Sequence, residues 1–246
     1  LLYNRLEPKL DLQQTPDQAG FRHNYSTEDH LFTMTILLEQ SHEYQLPLWA
    51  ATVDFKKAFD TVNHNRLWTT LRDQKIPQAY ITLLQQLYKD QSACVKTDTN
   101  SREFNILRGV KQGDPLSSLL FNALLEEVFK SMRESWDQKA FGIPLGYANT
   151  AQLTNLRFAD DLLVIARTLP QLKSMLADVI IECRAVGLEL HAGKTKILNN
   201  GIGYGSGVTE IEVEGMTIKV LRPTESITDL GQLFNLWDSQ DQELDH

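Results

Sequence analysis

Cysteine is nearly absent. The 246 residues hold two, Cys94 and Cys183, 89 positions apart, which provides neither a disulfide framework nor a zinc-ligand pair of fixed spacing. A reducing compartment is the expectation. Long apolar runs are missing too: the longest, Leu46 to Val53 and Leu162 to Ala166, fall far short of the roughly 18 residues of a membrane span, so no membrane partner is expected. The opening Leu1-Leu2-Tyr3-Asn4-Arg5 lacks the order of a secretory signal. An intracellular chain follows as the expectation, and the want of a dense basic import run leaves nucleus or cytoplasm open. There is no initiator methionine, which suggests a piece of something longer.

An excess of positive charge is also lacking. The net charge is −8, which by itself argues against a nucleic-acid surface. The deficit is local: residues 210 to 246 carry nine acids against Lys219 and Arg222, leaving 22 basic and 23 acidic side chains before them. What is present is a hydrophobic fraction of 42% with 13 glycines and 8 prolines. That suffices for a core without staples and excludes disorder, collagen or coiled coil as whole-chain descriptions.

Residues 26 to 44 have a helical period, with Ser26 or Thr27 as cap, Glu28 and Asp29 in the first turn, and a stripe of Leu31, Met34, Thr35 and Leu38. Leu46 to Phe55 is continuously apolar and delivers one carboxylate, Asp54, at its end, the pattern of a buried strand. Asn63 to Gln74 and Ile76 to Tyr88 suit amphipathic helices, the second opened by Pro77. Ala93 to Lys96 and Arg102 to Leu107 suit short strands around a turn at Asp98-Thr99-Asn100-Ser101. Asp114 and Pro115 open a helix expected to reach about Met132. Leu156 to Phe158 and Leu162 to Ala166 form a hairpin with Asp160 and Asp161 at its tip. Pro170 to Val186 is a further helix closed by Gly187. Short strands are expected at 188–190, 196–198, 211–213 and 216–220, with a glycine-rich loop at 201–207.

An aspartate ending one buried strand and an Asp-Asp pair at a hairpin tip form a pattern with chemical content. Side by side, the two strands would gather three carboxylates at one sheet edge, and their repulsion would call for a cation between them. Hard oxygen donors suit magnesium, and two such ions roughly 3.5 to 4 Å apart serve an in-line phosphoryl displacement. Singly, each acid is more commonly a turn former.

The words around these acids carry a resemblance. Asp54-Phe55-Lys56-Lys57-Ala58-Phe59-Asp60, Gln112-Gly113-Asp114-Pro115-Leu116-Ser117 and Phe158-Ala159-Asp160-Asp161 occur in that order. Gln18-Ala19-Gly20-Phe21-Arg22 stands upstream; Gly187-Leu188-Glu189-Leu190-His191 with Lys194-Thr195, and Asp229-Leu230-Gly231, stand downstream. The chain strongly resembles reverse transcriptases of non-LTR, LINE-like retrotransposons, with group II intron enzymes as cousins, over about residues 1 to 235. The fold that this implies is an α/β (α+β) polymerase palm, a mainly antiparallel sheet backed by helices. Partial fingers would occupy 1–45, the palm 46–235 with fingers elements around 63–107, and a polar acidic tail 236–246.

The resemblance implies that Asp54 and Asp160 bind two magnesium ions, manganese being a substitute, and that Asp161 completes the acidic metal cluster. Lys194 would lie near the leaving pyrophosphate. Phe55, Ala58, Phe59, Gln112, Gly113 and Arg22 would form the nucleotide site. Within it, Phe59 would exclude a ribose 2′-hydroxyl, Gln112 would lie beside nucleotide and template base, Gly113 would allow close backbone approach, and Arg22 would support template or triphosphate from the fingers. The implied partners are an RNA template, a DNA primer and deoxynucleoside triphosphates, with the rest of the element's polyprotein outside this chain.

Two other glycine-bearing segments are decoys. Between Gly187 and Gly193 five residues intervene where a P-loop needs four, and no helix pattern follows Gly201-Ile202-Gly203-Tyr204-Gly205. Departures from the family pattern are the absence of an Arg-Pro-Ile-type segment upstream, of an endonuclease part and of a Cys/His knuckle, together with His191 in place of asparagine. The competing expectations are an RNA-dependent RNA polymerase, against which Phe59 argues, and a catalytically silent RNA-binding palm.

Overall fold

The apolar stretch expected as a strand forms β1 (Trp49–Val53), an interior strand of a six-stranded sheet in the computed structural model. The structure describes residues 1–96, 101–146, 151–203, 207–222, 225, 227–229, 232–234 and 236. Before β1 come α1 (Tyr3–Asp11) and α2 (Thr27–Glu43). After it come α3 (Ala58–Thr61), α4 (His64–Asp73), α5 (Gln78–Tyr88), β2 (Ser92–Ala93), β3 (Phe104–Asn105), α6 (Pro115–Gln138), β4 (Ile143–Leu145) and β5 (Ala151–Leu153). The chain continues with β6 (Asn155–Phe158), β7 (Asp161–Ala166), α7 (Leu169–Ala185), β8 (Lys196–Asn199), β9 (Glu210–Val213), β10 (Met216–Val220), β11 (Ile227–Asp229) and β12 (Gln232–Phe234).

The sheet order is β6-β7-β1-β8-β10-β9, antiparallel throughout except between β8 and β10. Trp49, Ala51 and Val53 pack with Leu162, Val164, Ala166 and Ile197 into a core shared with α1, α4, α5, α6 and α7. On the opposite face Ala50, Leu163, Ile165 and Leu198 meet Met34 and Leu37 of α2. Burial on both faces is why β1 and β7 read as unbroken apolar runs and not as alternation.

Local capping chemistry sets the helix starts. Ser26 and Asp29 form a reciprocal capping box on α2, Asn63 accepts from the Arg66 amide on α4, and the Asp114 carboxylate accepts from the Leu116 amide at 3.0 Å ahead of Pro115. The buried stripe of α2 is His30, Met34, Leu37 and Ser41, rotated from the expected one so that Thr35 faces solvent. Helix α6 runs six residues past Met132, because Trp136 continues the buried stripe and its Nε1 donates to Asp178 Oδ2 of α7 at 2.8 Å. The strand expected at 188–190 is one bridge, Leu190 to Phe55. Helix α1, to which no sequence signal points, buries Leu6 and Leu10.

Asp98, Thr99 and Asn100 of the expected turn, Tyr204 to Ser206 of the glycine-rich loop, Leu230 and Gly231 of the last motif and residues 237–246 of the tail lie outside the described residues. Cys94 and Cys183 are both free, and burial pushes the Cys183 thiol up to about 12. Among the described residues no helix is long and apolar enough to cross a membrane.

One buried ionic network ties the edge of the sheet to the helices. Arg157, on edge strand β6, is 0% exposed. Its NH2 donates to Glu126 Oε2 of α6 at 2.8 Å and to Thr15 Oγ1 at 3.1 Å, and its guanidinium lies 4.6 Å from the Phe129 ring centroid. Arg133 holds the other Glu126 oxygen and reaches Asp17 at 3.4 Å. Burial pushes the Glu126 carboxyl up, but Arg157 and Arg133 outweigh it and hold the group below the ordinary glutamate range. Its stabilising contribution is therefore complete above about pH 4.3 and is lost as pH falls through the lower folded value. Glu126→Ala should cost about 3–5 kcal/mol in denaturant unfolding, since it strands a buried guanidinium. Glu126→Gln should flatten the acid limb of the stability–pH curve.

Candidate active site

The backbone around Asp54 is pinned from the segment that follows α7. The His191 amide donates to the Asp54 carbonyl at 2.7 Å, the Lys56 amide to the Glu189 carbonyl at 2.7 Å, and the Asp54 amide to Thr195 Oγ1 at 3.4 Å. Phe55 turns into the core, 7% exposed, and bridges Leu190. The Asp54 carboxylate is left at the strand end, its side chain 40% exposed, with Lys194 Nζ 3.5 Å from Oδ2.

The register of β1 against β7 decides what stands next to it. Val53 pairs with Leu162, so one further step sets Asp54 across from Asp161. Phe158 pairs with Asp161, which leaves Ala159 and Asp160 as a two-residue turn in which Ala159 takes φ +57°. Burial raises the Asp160 carboxyl above the ordinary aspartate range, its own backbone amide draws it down, and the Asp54 charge raises it again. Asp54 and Asp160 therefore repel across the strand ends. Such a pair of hard oxygen donors fits a divalent cation, which relieves the repulsion. Among the described residues no three acidic, histidine or cysteine groups stand together as a ready metal cluster. Asp54 at the end of β1 and Asp160 and Asp161 at the β6–β7 turn stand at the same end of adjoining strands.

Phe59 lies on α3, whose placement is set from two directions. The Val110 amide donates to the Phe59 carbonyl at 2.7 Å, and Gly187, at φ +95°, packs so closely that a Cβ would lie 2.6 Å from the Thr61 carbonyl. The Phe59 ring, partly buried, stacks on Phe121 of α6 at 4.7 Å and 16°; Ala58 beside it is 4% exposed. Gln112 and Gly113 are exposed. Gly113 has φ +85° with open space where a Cβ would sit, so its need for glycine is conformational and its outer face is clear. Next to Gln112 opens a cleft of about 920 Å³ whose lining includes Asp60, Arg108 and Lys111.

Arg22, expected to support template or triphosphate, packs within the N-terminal segment. Its side chain is 7% exposed, with Nε on Asp11 Oδ1 at 2.6 Å, NH1 on the Thr15 and Gln18 carbonyls at 2.7 and 2.9 Å, and the guanidinium over the Tyr25 ring at 4.1 Å. Its neighbour Gln18 is the residue that single-residue reasoning missed: fully buried, it accepts from the Ala159 amide at 2.9 Å, next to Asp160. The one available signal was its place in the Gln18-to-Arg22 word, which names no partner.

Because Asp160 is held against burial and a like charge, Asp160→Asn should raise the melting temperature of the metal-free protein by roughly 1–3 °C. Differential scanning fluorimetry with added manganese should then give a smaller rise in the variant than in the wild type.

Comparison with known proteins bears on family and fold. A family model described as reverse transcriptase (RNA-dependent DNA polymerase) matches residues 1–231. Among curated relatives, the Pol polyprotein of the type-2 retrotransposable element R2DM of Drosophila melanogaster is 32% identical over 79% of this chain and 18% of its own length. That of a type-1 element R2 of Popillia japonica is 28% identical over 96% of this chain and 33% of its own length. The chain thus spans a third or less of these relatives. Among solved structures, apo telomerase of Candida tropicalis lacking its C-terminal domain superposes with TM-score 0.62 at 17% identity, over 95% of this chain and 44% of that one. The same enzyme with a fragment of telomeric RNA gives 0.64 at 16% identity, over 97% and 37%. The superpositions bear on the fold, a palm-type sheet backed by helices, while the match over residues 1–231 bears on descent: this chain belongs to the reverse transcriptase family.

Proposed function

We propose that the chain is the catalytic core of an RNA-directed DNA polymerase from the polyprotein of an R2-like non-LTR retrotransposon. The observation that carries the reading is the strand register, which sets Asp54 across from Asp161 with Asp160 next to it in the turn, inside a family whose members use divalent metals. Asp54 and Asp160 would hold magnesium, with manganese as substitute, and Asp161 would complete the set. Two such ions, when bound, supply activation of the primer 3′-hydroxyl and charge stabilisation at the leaving pyrophosphate.

The chain's own residues do the rest. Lys194 neutralises Asp54 in the free protein; its long, 64% exposed side chain has the reach to turn to the pyrophosphate instead and offer charge or a proton. Phe59, braced by Phe121, presents a ring to the sugar of the incoming deoxynucleotide and excludes a 2′-hydroxyl by bulk. Ala58 and Phe55 fix that ring's helix to the core, and Gln112 and Gly113 offer an open face to nucleotide and template base. Arg108 and Lys111 in the adjoining cleft suit the phosphate backbone of an RNA template. Base choice comes from pairing with that template, and the DNA primer is a nicked chromosomal end in this reading.

Primer extension on an RNA template with magnesium tests it. The wild type should incorporate deoxynucleotides and Asp160→Ala should not; incorporation that survives in Asp160→Ala would defeat the metal assignment. Phe59→Val should lower the preference for deoxy- over ribonucleotides by about tenfold or more, and an unchanged ratio would remove the ring from that role.

A further inference from the structure

The turn that presents Asp160 has positive φ at its first residue alone, the position in such turns where glycine is favoured. Alanine occupies it. Something outside the hairpin must hold it there, and the contacts identify the N-terminal segment 17–20. The Arg157 amide donates to the Asp17 carbonyl at 2.7 Å and the Ala19 amide to the Arg157 carbonyl at 2.8 Å, with Gln18 bridged parallel to Arg157. These contacts lay the segment along the outer edge of β6 through a single parallel bridge. Gly20 lies so close that a Cβ there would be 2.2 Å from the Ala159 nitrogen, and Asn122 of α6 secures the Gly20 carbonyl at 2.7 Å.

From this bridge the Gln18 side-chain carbonyl accepts from both the Gly20 amide at 2.8 Å and the Ala159 amide at 2.9 Å. Two donors face one oxygen, so the amide's orientation is dictated by its neighbours. The hydrogen bond to the Ala159 amide ties the first residue of the turn to the N-terminal segment.

We infer that Gln18 is a positioning residue for the acidic turn: its carbonyl holds the Ala159 amide, and through it the Asp160 carboxylate, in the arrangement that a divalent ion meets. The consequence for catalysis rests on the polymerase reading. The mechanical claim rests on these contacts alone.

The test uses the full chain and two variants. Gln18→Met keeps the volume and removes the acceptor, while Val213→Ala weakens the core at β9, the far edge of the sheet from β6. Hydrogen–deuterium exchange of the peptide spanning 155–162 reads the turn. The rise in melting temperature with manganese, without primer or nucleotide, reads metal binding, and primer extension reads kcat and KM. In Gln18→Met the turn peptide should exchange faster, and the half-saturating manganese concentration should rise about tenfold or more. Its kcat should fall by a similar factor while KM for the nucleotide stays within about twofold. Val213→Ala should lower the melting temperature with none of these local changes. Unchanged exchange in the turn peptide would overturn the inference, as would faster exchange with an unchanged manganese response. A wild type that incorporates nothing would instead remove the polymerase reading, and faster exchange with a weaker manganese response in Gln18→Met would still uphold the positioning role.

Discussion

Antiparallel pairing of β1 with β7, with Val53 opposite Leu162, is the constraint on which the rest depends. A shift of one residue would turn every side chain of β1 to the other face and would take Asp54 out of line with the hairpin. The register cannot slip cheaply, because both faces of these strands are buried. Trp49, Ala51 and Val53 fit one core while Ala50 fits the other. The same burial that makes the strand stable thus fixes the place of a carboxylate that the sheet would otherwise avoid.

A second consequence of the architecture is that its most buried charge sits on an edge strand. Arg157 is enclosed by Glu126, Thr15 and the Phe129 ring, so strand β6, helix α6 and the N-terminal segment meet at one guanidinium. A buried pair of this kind adds little net stability compared with well-packed apolar groups, yet breaking it is costly. Its use here is geometric: it sets the spacing between the hairpin and the long helix whose first turn follows the Gln112-Gly113 loop.

Much of the fold was legible because its signals are local. Asp114-Pro115 opens α6, Asn63 caps α4, and the apolar run at β1 ends on its aspartate, each from chemistry within a few residues. The three acids were legible as words rather than as geometry. No spacing rule says that residue 54 and the 160–161 pair come from neighbouring strands. What sequence could not show has a common cause, namely partners far away in the chain. The partners of Arg22, namely Asp11, Thr15, Gln18 and Tyr25, converge only through the packing of the N-terminal segment. The end of α6 was set by Asp178, forty-two residues beyond Trp136. Helix α1 carries an internal proline, a residue that argues against a helix until tertiary packing overrides it.

Gln18, in the segment that covers the edge of β6, lies 141 positions before the amide it holds. At about 5–20 residues per second of synthesis, the N-terminal segment would wait on the order of ten seconds for its partner to be made. Contacts of such long sequence separation slow folding, yet this order of events has an advantage. An uncovered strand edge invites pairing with other chains. Here the cover has already left the ribosome when β6 emerges, so the hairpin can be sealed as soon as it forms.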